Sequence, residues 1–192
     1  MIKKLIMVGT TTQNNKLVNG QSMMFQLLVD HLRKMNVETV IVDFGKSIDA
    51  NFHQDRVSGK FQLIKLIDNL ILLFRMFFVL SKNSHTEVYI NTSQSKVGFI
   101  RDYLFIRMAK FFNRKVIAHQ FGANYTNFYN SQTPSFQKKI NSTLDKTDYL
   151  IVEGNYAKKQ FSFMKNFEKK VVAIPNGLPE KINHSSIVVK EI

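Results

Sequence analysis

Cysteine is absent from this chain of 192 residues, so disulfides, thiolate metal sites and a cysteine nucleophile are all excluded. The absence also agrees with a reducing compartment. The histidines lie too far apart in sequence to form a metal-binding motif, standing at positions 31, 53, 85, 119 and 184. We therefore expect no metal and no bound cofactor.

Several sequence motifs are also missing, and their absence narrows the functional classes. The G-x-G-x-x-G pattern does not occur, which disfavours NAD or FAD binding, and there is no P-loop, G-x-S-x-G elbow or H-E-x-x-H helix.

Lys3 and Lys4 precede only four apolar residues, too few for a secretory signal, so we expect a cytoplasmic protein. The most apolar window, Leu66–Leu80, is shorter than the ~20 residues that span a bilayer. It predicts a helix that is buried or lies against a membrane surface.

Acidic residues are scarce: 14 Asp and Glu oppose 27 Lys and Arg, which gives a formal net charge of +13. Such a surface attracts polyanions, namely nucleic acid, anionic lipid or phosphorylated substrates, although a solvated lysine-rich surface explains it equally well. No run of five like charges occurs, and basic residues do not alternate with aromatic ones as in RNA-binding domains. We therefore expect no nucleic-acid partner.

Apolar runs alternate with helical patterns along the chain. Strands are predicted at Lys4–Val8, Thr39–Asp43, Glu87–Asn91, Val116–His119, Tyr149–Val152 and Val171–Ile174, and helices at Gln21–Met35, Phe61–Leu80, Gly98–Phe112, Pro134–Leu144 and Tyr156–Phe163. This alternation is typical of an α/β, Rossmann-like parallel sheet with helices on both faces. We expect one domain over residues 1–180, with 181–192 as a tail or the start of an interdomain linker.

Ligands of open parallel sheets bind beyond the carboxyl ends of the strands, so the residues there are the candidates. Asn19, Gly20 and Gln21 follow the first strand at a helix start, where free N–H groups suit phosphate. A helix cap by Asn19 or Ser22 explains the same residues without a ligand. The polar run Asn91-Thr92-Ser93-Gln94-Ser95 follows the third strand and has hydrogen-bonding groups for sugar hydroxyls, with Asn91, Thr92 and Ser93 as the candidate site residues, although helix capping explains part of it.

The later strands end in further candidates. His119 ends the fourth strand as a candidate base or hydrogen-bond donor, with a purely structural histidine as the alternative, and Gly122 follows it. Glu153 follows the fifth strand as a ligand contact or a helix cap. Asn176 and Gly177 follow the sixth strand, where a tight turn after Pro175 is a sufficient explanation.

Four segments together resemble the N-terminal domain of family 4 GT-B glycosyltransferases, over roughly residues 2–182. They are Asn19-Gly20-Gln21-Ser22, His119 with Gly122, the strand at 148–152, and Ile174-Pro175-Asn176-Gly177. The resemblance implies a retaining enzyme that transfers sugar from a nucleotide-sugar donor, without a metal, to a polysaccharide, glycolipid or glycoprotein acceptor held by this domain. It implies that Gly20 lies near the donor phosphates and His119 near the acceptor hydroxyl and the transferred sugar.

The sequence departs from that family in three respects. Asn19 replaces the first glycine of a Gly-Gly pair, and Glu153 precedes a Gly-Asn where the family has serine. The E-x7-E signature of the family's C-terminal, donor-binding domain does not occur. The resemblance therefore implies that these 192 residues are inactive alone and require that second domain or a partner chain.

Two further expectations remain open. One is that the chain is a non-catalytic interaction subunit of a split or two-chain glycosyltransferase. The other is that the Leu66–Leu80 helix and the lysine and arginine excess dock the domain on an anionic membrane at its inner face.

Overall fold

The computed structural model describes residues 3–12, 19–44 and 63–175, with the backbone alone for 63–66. Six strands alternate with helices in the order β1 (Lys4–Gly9), α1 (Gly20–Lys34), β2 (Glu38–Asp43), α2 (Leu63–Lys82), β3 (Glu87–Thr92), α3 (Lys96–Phe111), β4 (Val116–Gln120), α4 (Tyr125–Asn130), α5 (Pro134–Leu144), β5 (Tyr149–Val152), α6 (Asn155–Lys158), a 3₁₀ turn (Lys159–Phe161), α7 (Phe167–Lys170) and β6 (Val171–Ala173).

All six strands run parallel in one sheet of order β2-β1-β3-β4-β5-β6. The predicted Rossmann-like α/β class is confirmed, and each predicted strand is present to within about two residues. The strands form because their short apolar runs, rich in valine and isoleucine, suit a sheet buried on both faces.

Successive residues of each strand serve two different cores. On one face Phe25 and Val29 of α1 pack against Leu5, Met7 and Tyr89. On the other face, α2 and α3 cover the alternate strand residues, through the cluster Ile6, Val8, Val88, Ile90, Leu72, Met76, Leu80, Phe105 and Ile106. Burying each such side chain contributes about 1.5–3 kcal/mol, so the sheet is anchored from both sides as predicted.

Helices α1 and α3 are each followed by an asparagine in the left-handed conformation. Asn36 and Asn113 lie two residues after the last helical residue and adopt positive φ values of 58° and 55°. Asparagine tolerates this left-handed conformation, which ends a helix by satisfying its last carbonyls. The chain therefore turns tightly into β2 and β4.

The aromatic segment after β4 differs from the prediction. Tyr125–Asn130 is helical, and the predicted helix Tyr156–Phe163 is instead the four-residue α6 followed by the 3₁₀ turn. Packing explains both, because Tyr129 and Phe163 stack with ring centroids 3.9 Å apart and Tyr125 is fully enclosed beside Phe161. Such tertiary contacts outweigh local helix preference in segments this short.

Helix α2 is only half-buried. Leu72, Met76 and Leu80 face the core, whereas Phe74 and Phe78 are 65% and 59% exposed. In the parts of the chain that the structure describes, no helix is both long and apolar enough to cross a membrane.

Candidate functional site

The carboxyl ends of β1 and β3 mark the place where the connections diverge. From β1 the chain passes to β2 at the sheet edge and then returns to β3 on the other side of β1. A crevice opens at such a reversal of strand order, and ligands of open parallel sheets bind there. The candidate residues predicted from strand ends should therefore meet at this point.

The start of α1 is fixed by its own side chains. Asn19 Oδ1 accepts a hydrogen bond from the Ser22 backbone N–H at 2.9 Å, and Ser22 Oγ accepts one from the Asn19 N–H at 3.1 Å. This reciprocal capping box supports the capping alternative for Asn19. Gly20 is exposed, and a Cβ atom added to it would have no neighbour within 4 Å, so packing does not demand glycine there.

Gln21 joins α1 to the end of β3. Its Nε2 donates to Asn91 Oδ1 at 2.8 Å, a bond between residues 70 positions apart. Thr92 Oγ1 in turn donates to the His119 carbonyl at 3.1 Å and contacts Gln120 Oε1 at 2.9 Å. The polar residues at the ends of β3 and β4 are thus tied together beneath the start of α1.

His119 is enclosed by two aromatic rings. Its Nδ1 shares a short hydrogen bond with the Tyr89 hydroxyl, and the Phe121 ring stacks on the imidazole with centroids 4.0 Å apart. Burial lowers the pKa of His119 to about 4, although the nearby Glu153 carboxylate opposes that shift. The imidazole is therefore neutral at physiological pH, and its partner is a side chain rather than the backbone.

Gly122 and Glu153 connect β4 to β5. The Gly122 N–H donates to Glu153 Oε2 at 2.9 Å. Gly122 has a φ of +84°, which side-chain-bearing residues rarely adopt, so backbone geometry alone accounts for the glycine. Glu153 does not occupy the N-cap of α6, which is Gly154, so the capping alternative for Glu153 is wrong.

These elements border an open cleft of about 350 Å³. Its lining is Gly20, Gln21, Met24, Phe121, Gly122 and Glu153. Four of the predicted site residues thus share one cleft, and a fifth, His119, lies behind the stacked Phe121 ring. Amide, carboxylate and backbone groups around an apolar floor suit a ligand rich in hydroxyl groups.

Other predicted residues lie elsewhere. The Ser93 N–H donates to the fully buried Asp102 carboxylate on α3 at 2.7 Å, and Ser93 Oγ is 3.1 Å from Ser95 Oγ. Ser95 caps α3 through the Gly98 N–H. Ser93 therefore holds the loop onto α3 and is not part of the cleft lining. Asn176 and Gly177 lie outside the described residues.

The sequence interpretation missed Tyr89 and Phe121, and it did not predict that Gln94 supports a loop. Gln94 Nε2 donates to the Phe121 carbonyl at 2.7 Å and so supports the loop that carries Phe121. Tyr89 stands two residues before Asn91, and side chains two apart on a strand share a face. The alternation of side chains along β3 was therefore the feature of the sequence that could have identified Tyr89, because it places the tyrosine on the face that also carries the site.

Similarity to known proteins extends to the fold alone. No protein-family model and no curated protein matches the sequence. A similar solved structure is the crystal structure of Anabaena HepE in complex with UDP and glucose, at a TM-score of 0.51 and 8% sequence identity. The match covers 92% of this chain and 45% of HepE, so the chain spans about half the length of that protein.

Proposed function

We propose that this domain is the N-terminal, acceptor-side half of a retaining glycosyltransferase of the GT-B type. The observation that carries the proposal is the cleft at the carboxyl ends of β1, β4 and β5, in a fold shared with a protein solved with UDP and glucose. The family 4 assignment rests on the segments that include Gly20 and His119. In this proposal sugar transfer needs a donor-binding half in addition to these 192 residues.

The chemistry of the cleft favours a sugar over a phosphate group. Glu153 is the charged residue of the described lining, and a carboxylate repels phosphate but accepts hydrogen bonds from hydroxyls. Gln21 adds an amide whose carbonyl oxygen remains available while Nε2 binds Asn91. Polysaccharide, glycolipid and glycoprotein acceptors all offer such hydroxyls, so the proposal commits to that chemical class.

Heat unfolding of the pure chain tests this function. Addition of glucose or a glucose oligosaccharide at ten times its dissociation constant should stabilise the fold by about 1.4 kcal/mol, or roughly 3–6 °C. UDP should stabilise it less, because the Glu153 carboxylate repels a diphosphate. Glu153→Gln should weaken the sugar-induced shift, whereas the control Glu168→Gln, on the exposed α7, should leave it unchanged. Absence of a shift with the sugars in a folded protein, or a larger shift with UDP than with the sugars, would overturn the proposed acceptor site.

The proposal includes docking of the domain on an anionic membrane. Exposed apolar side chains run along α2 and continue on α3, at Ile67, Leu70, Ile71, Phe74, Phe77, Phe78, Val97, Ile100, Leu104 and Phe111. We call this set the apolar face. The two helices are in contact, and Phe77 packs edge-on against Phe112 at the end of α3, with ring centroids 5.4 Å apart. An exposed patch of this extent marks an interaction surface.

Charge complementarity selects anionic lipid as its occupant. Arg75 and Lys82 on α2 and Arg107 on α3 are exposed, and the whole chain carries a net charge of +13. An amphipathic surface with phenylalanines flanked by cations is suited to the boundary between lipid headgroups and acyl chains. The cleft would then act on acceptors presented at that membrane.

Vesicle sedimentation at low salt distinguishes this docking from other uses of the apolar face. Vesicles containing phosphatidylserine should bind the chain, and Phe74→Ser with Phe78→Ser should weaken binding more than tenfold. Arg75→Gln with Lys82→Gln should cost roughly thirtyfold, at about 1 kcal/mol for each cation. Tyr156→Ser removes a ring of α6 that is even more exposed than those of Phe74 and Phe78, and it is the control. Concentration-dependent dimerisation without vesicle binding would assign the face to a second copy instead.

A further inference from the structure

Tyr89 and His119 form an isolated polar pair inside the sheet. They are 3% and 8% exposed, and their rings meet at 89° with centroids 5.7 Å apart. The Tyr89 hydroxyl lies within hydrogen-bonding distance of His119 Nδ1. Tyr89 also packs against Phe25 of α1, with ring centroids 6.1 Å apart, so its ring is held from a second side.

The direction of this hydrogen bond follows from the chemistry of the two groups. Burial raises the pKa of Tyr89 well above its ordinary value, so the phenol keeps its proton. A neutral imidazole has one N–H and one nitrogen that accepts, and the bond made by one nitrogen sets the state of the other. Because a phenol is the stronger donor and an imidazole nitrogen the stronger acceptor, the hydroxyl donates to Nδ1. The ring proton then lies on Nε2.

The second observation concerns the Nε2 atom of His119. It is buried and has no hydrogen-bond partner among the described residues. A buried N–H without an acceptor destabilises a fold, so it calls for an explanation. Phe121, stacked on the same imidazole, lines the cleft, so His119 lies behind one aromatic ring of that lining.

We propose that Tyr89 is a positioning residue that fixes His119 in the tautomer with its proton on Nε2, so that a ligand which displaces the Phe121 ring would meet a hydrogen-bond donor rather than a base. The ligand would be an oxygen-rich group such as a sugar hydroxyl. That part rests on the proposed function, whereas the tautomer does not. Glu153 is the charged group that faces His119, and its carboxylate is engaged by the Gly122 N–H.

Nuclear magnetic resonance of the full chain, labelled with ¹⁵N and free of ligand, tests the tautomer directly. Spectra that correlate ring protons with both imidazole nitrogens separate protonated from unprotonated nitrogen, and His119→Gln identifies the signals of His119. At neutral pH we expect Nε2 protonated and Nδ1 unprotonated in at least about nine molecules of ten. A protonated Nδ1, or an even mixture of tautomers, in the wild-type chain would overturn the proposal.

Tyr89→Phe tests the role of the hydroxyl, since it removes one oxygen and keeps the ring. The ratio of the two tautomers should fall roughly tenfold, the effect of one buried hydrogen bond. Tyr103→Phe, which removes a phenol on α3 that binds Arg107, should leave the ratio unchanged. An unchanged ratio in Tyr89→Phe would refute the positioning role. Because no ligand is added, failure of the proposed sugar or nucleotide binding would leave this result intact.

Discussion

Gly98 gives the sharpest test of how the β3–α3 loop is packed. It is the third residue of α3, and a Cβ added to it would lie 2.2 Å from Ser93 Oγ and 2.5 Å from Ser93 Cβ. Both distances are shorter than any van der Waals contact. The loop that follows Asn91 and Thr92 at the end of β3 therefore rests directly on the helix backbone.

Two opposing effects set the magnitude for Gly98→Ala. Alanine favours helix over glycine by roughly 0.5–1 kcal/mol. Overpacking against Ser93 costs about 1–3 kcal/mol, because the contact includes a Cβ atom and not only a rotatable hydroxyl. We expect a net loss of about 1–2 kcal/mol in the free energy of unfolding, measured by urea titration, and a melting temperature lower by roughly 2–8 °C.

Two control variants separate the steric clash at Gly98 from the general effect of replacing a helical glycine by alanine. Gly20→Ala replaces a glycine in the first turn of α1 where nothing lies within 4 Å of the added carbon, so it should be neutral or stabilising. In a Ser93→Gly background both contacts with Ser93 are removed and the Ser95 hydroxyl, at 2.9 Å, remains, so Gly98→Ala should cost less than it does in the wild type. A single Gly98→Ala variant as stable as the wild type would refute the close packing of loop and helix.

Three other substitutions report on charge and backbone geometry. Burial raises the pKa of Asp148, but the hydrogen bond from Lys110 at 2.5 Å and that from the Val116 N–H outweigh it and lower the pKa overall. Asp148→Asn should therefore lower the free energy of unfolding at pH 7, measured by urea titration. This difference from the wild type should disappear as the pH falls below about 4. Because the pKa of His119 is lowered to about 4 in the folded chain, the unfolded chain binds a proton at this histidine at a higher pH than the folded chain does. Wild type should then lose up to about 3 kcal/mol between pH 6.5 and 4, a loss that His119→Gln should lack. Gly122→Ala should cost about 1–2 kcal/mol by calorimetry because of its φ of +84°, and Gly122→Asn less.

The strands and the start of α1 could be predicted because their signals are local. Val88 and Ile90 alternate with Tyr89 and Asn91 within six residues, and Asn19 with Ser22 forms a capping box within four. Both patterns involve residues that are close in sequence, and the backbone of a strand or a helix start fixes where their side chains lie relative to one another.

The contacts within the site could not be predicted, because they depend on register between strands. Tyr89 pairs with Ile117, which sets His119 diagonally across from it, two residues further along β4. Sequence gives the face on which each residue lies but not which strands are neighbours. The stacking of Phe121 on His119 depends in addition on the turn at Gly122, whose positive φ the residue type permits but does not require.

The cleft and the apolar face differ in charge, and this difference predicts how the binding of each responds to salt. The described lining contains one carboxylate and no lysine or arginine, although the chain has 27 of them, and exposed cations flank the apolar face on α2 and α3. Hydrogen bonds between neutral groups in a cleft respond little to ionic strength, whereas attraction between exposed charges is screened within about 10 Å at 0.1 M salt. Sugar binding should therefore persist as salt rises from about 50 to about 500 mM, while vesicle binding should weaken steeply over the same range. Equal sensitivity of both to salt would mean that cations contribute to the cleft, and would favour a phosphate rather than a hydroxyl-rich ligand there.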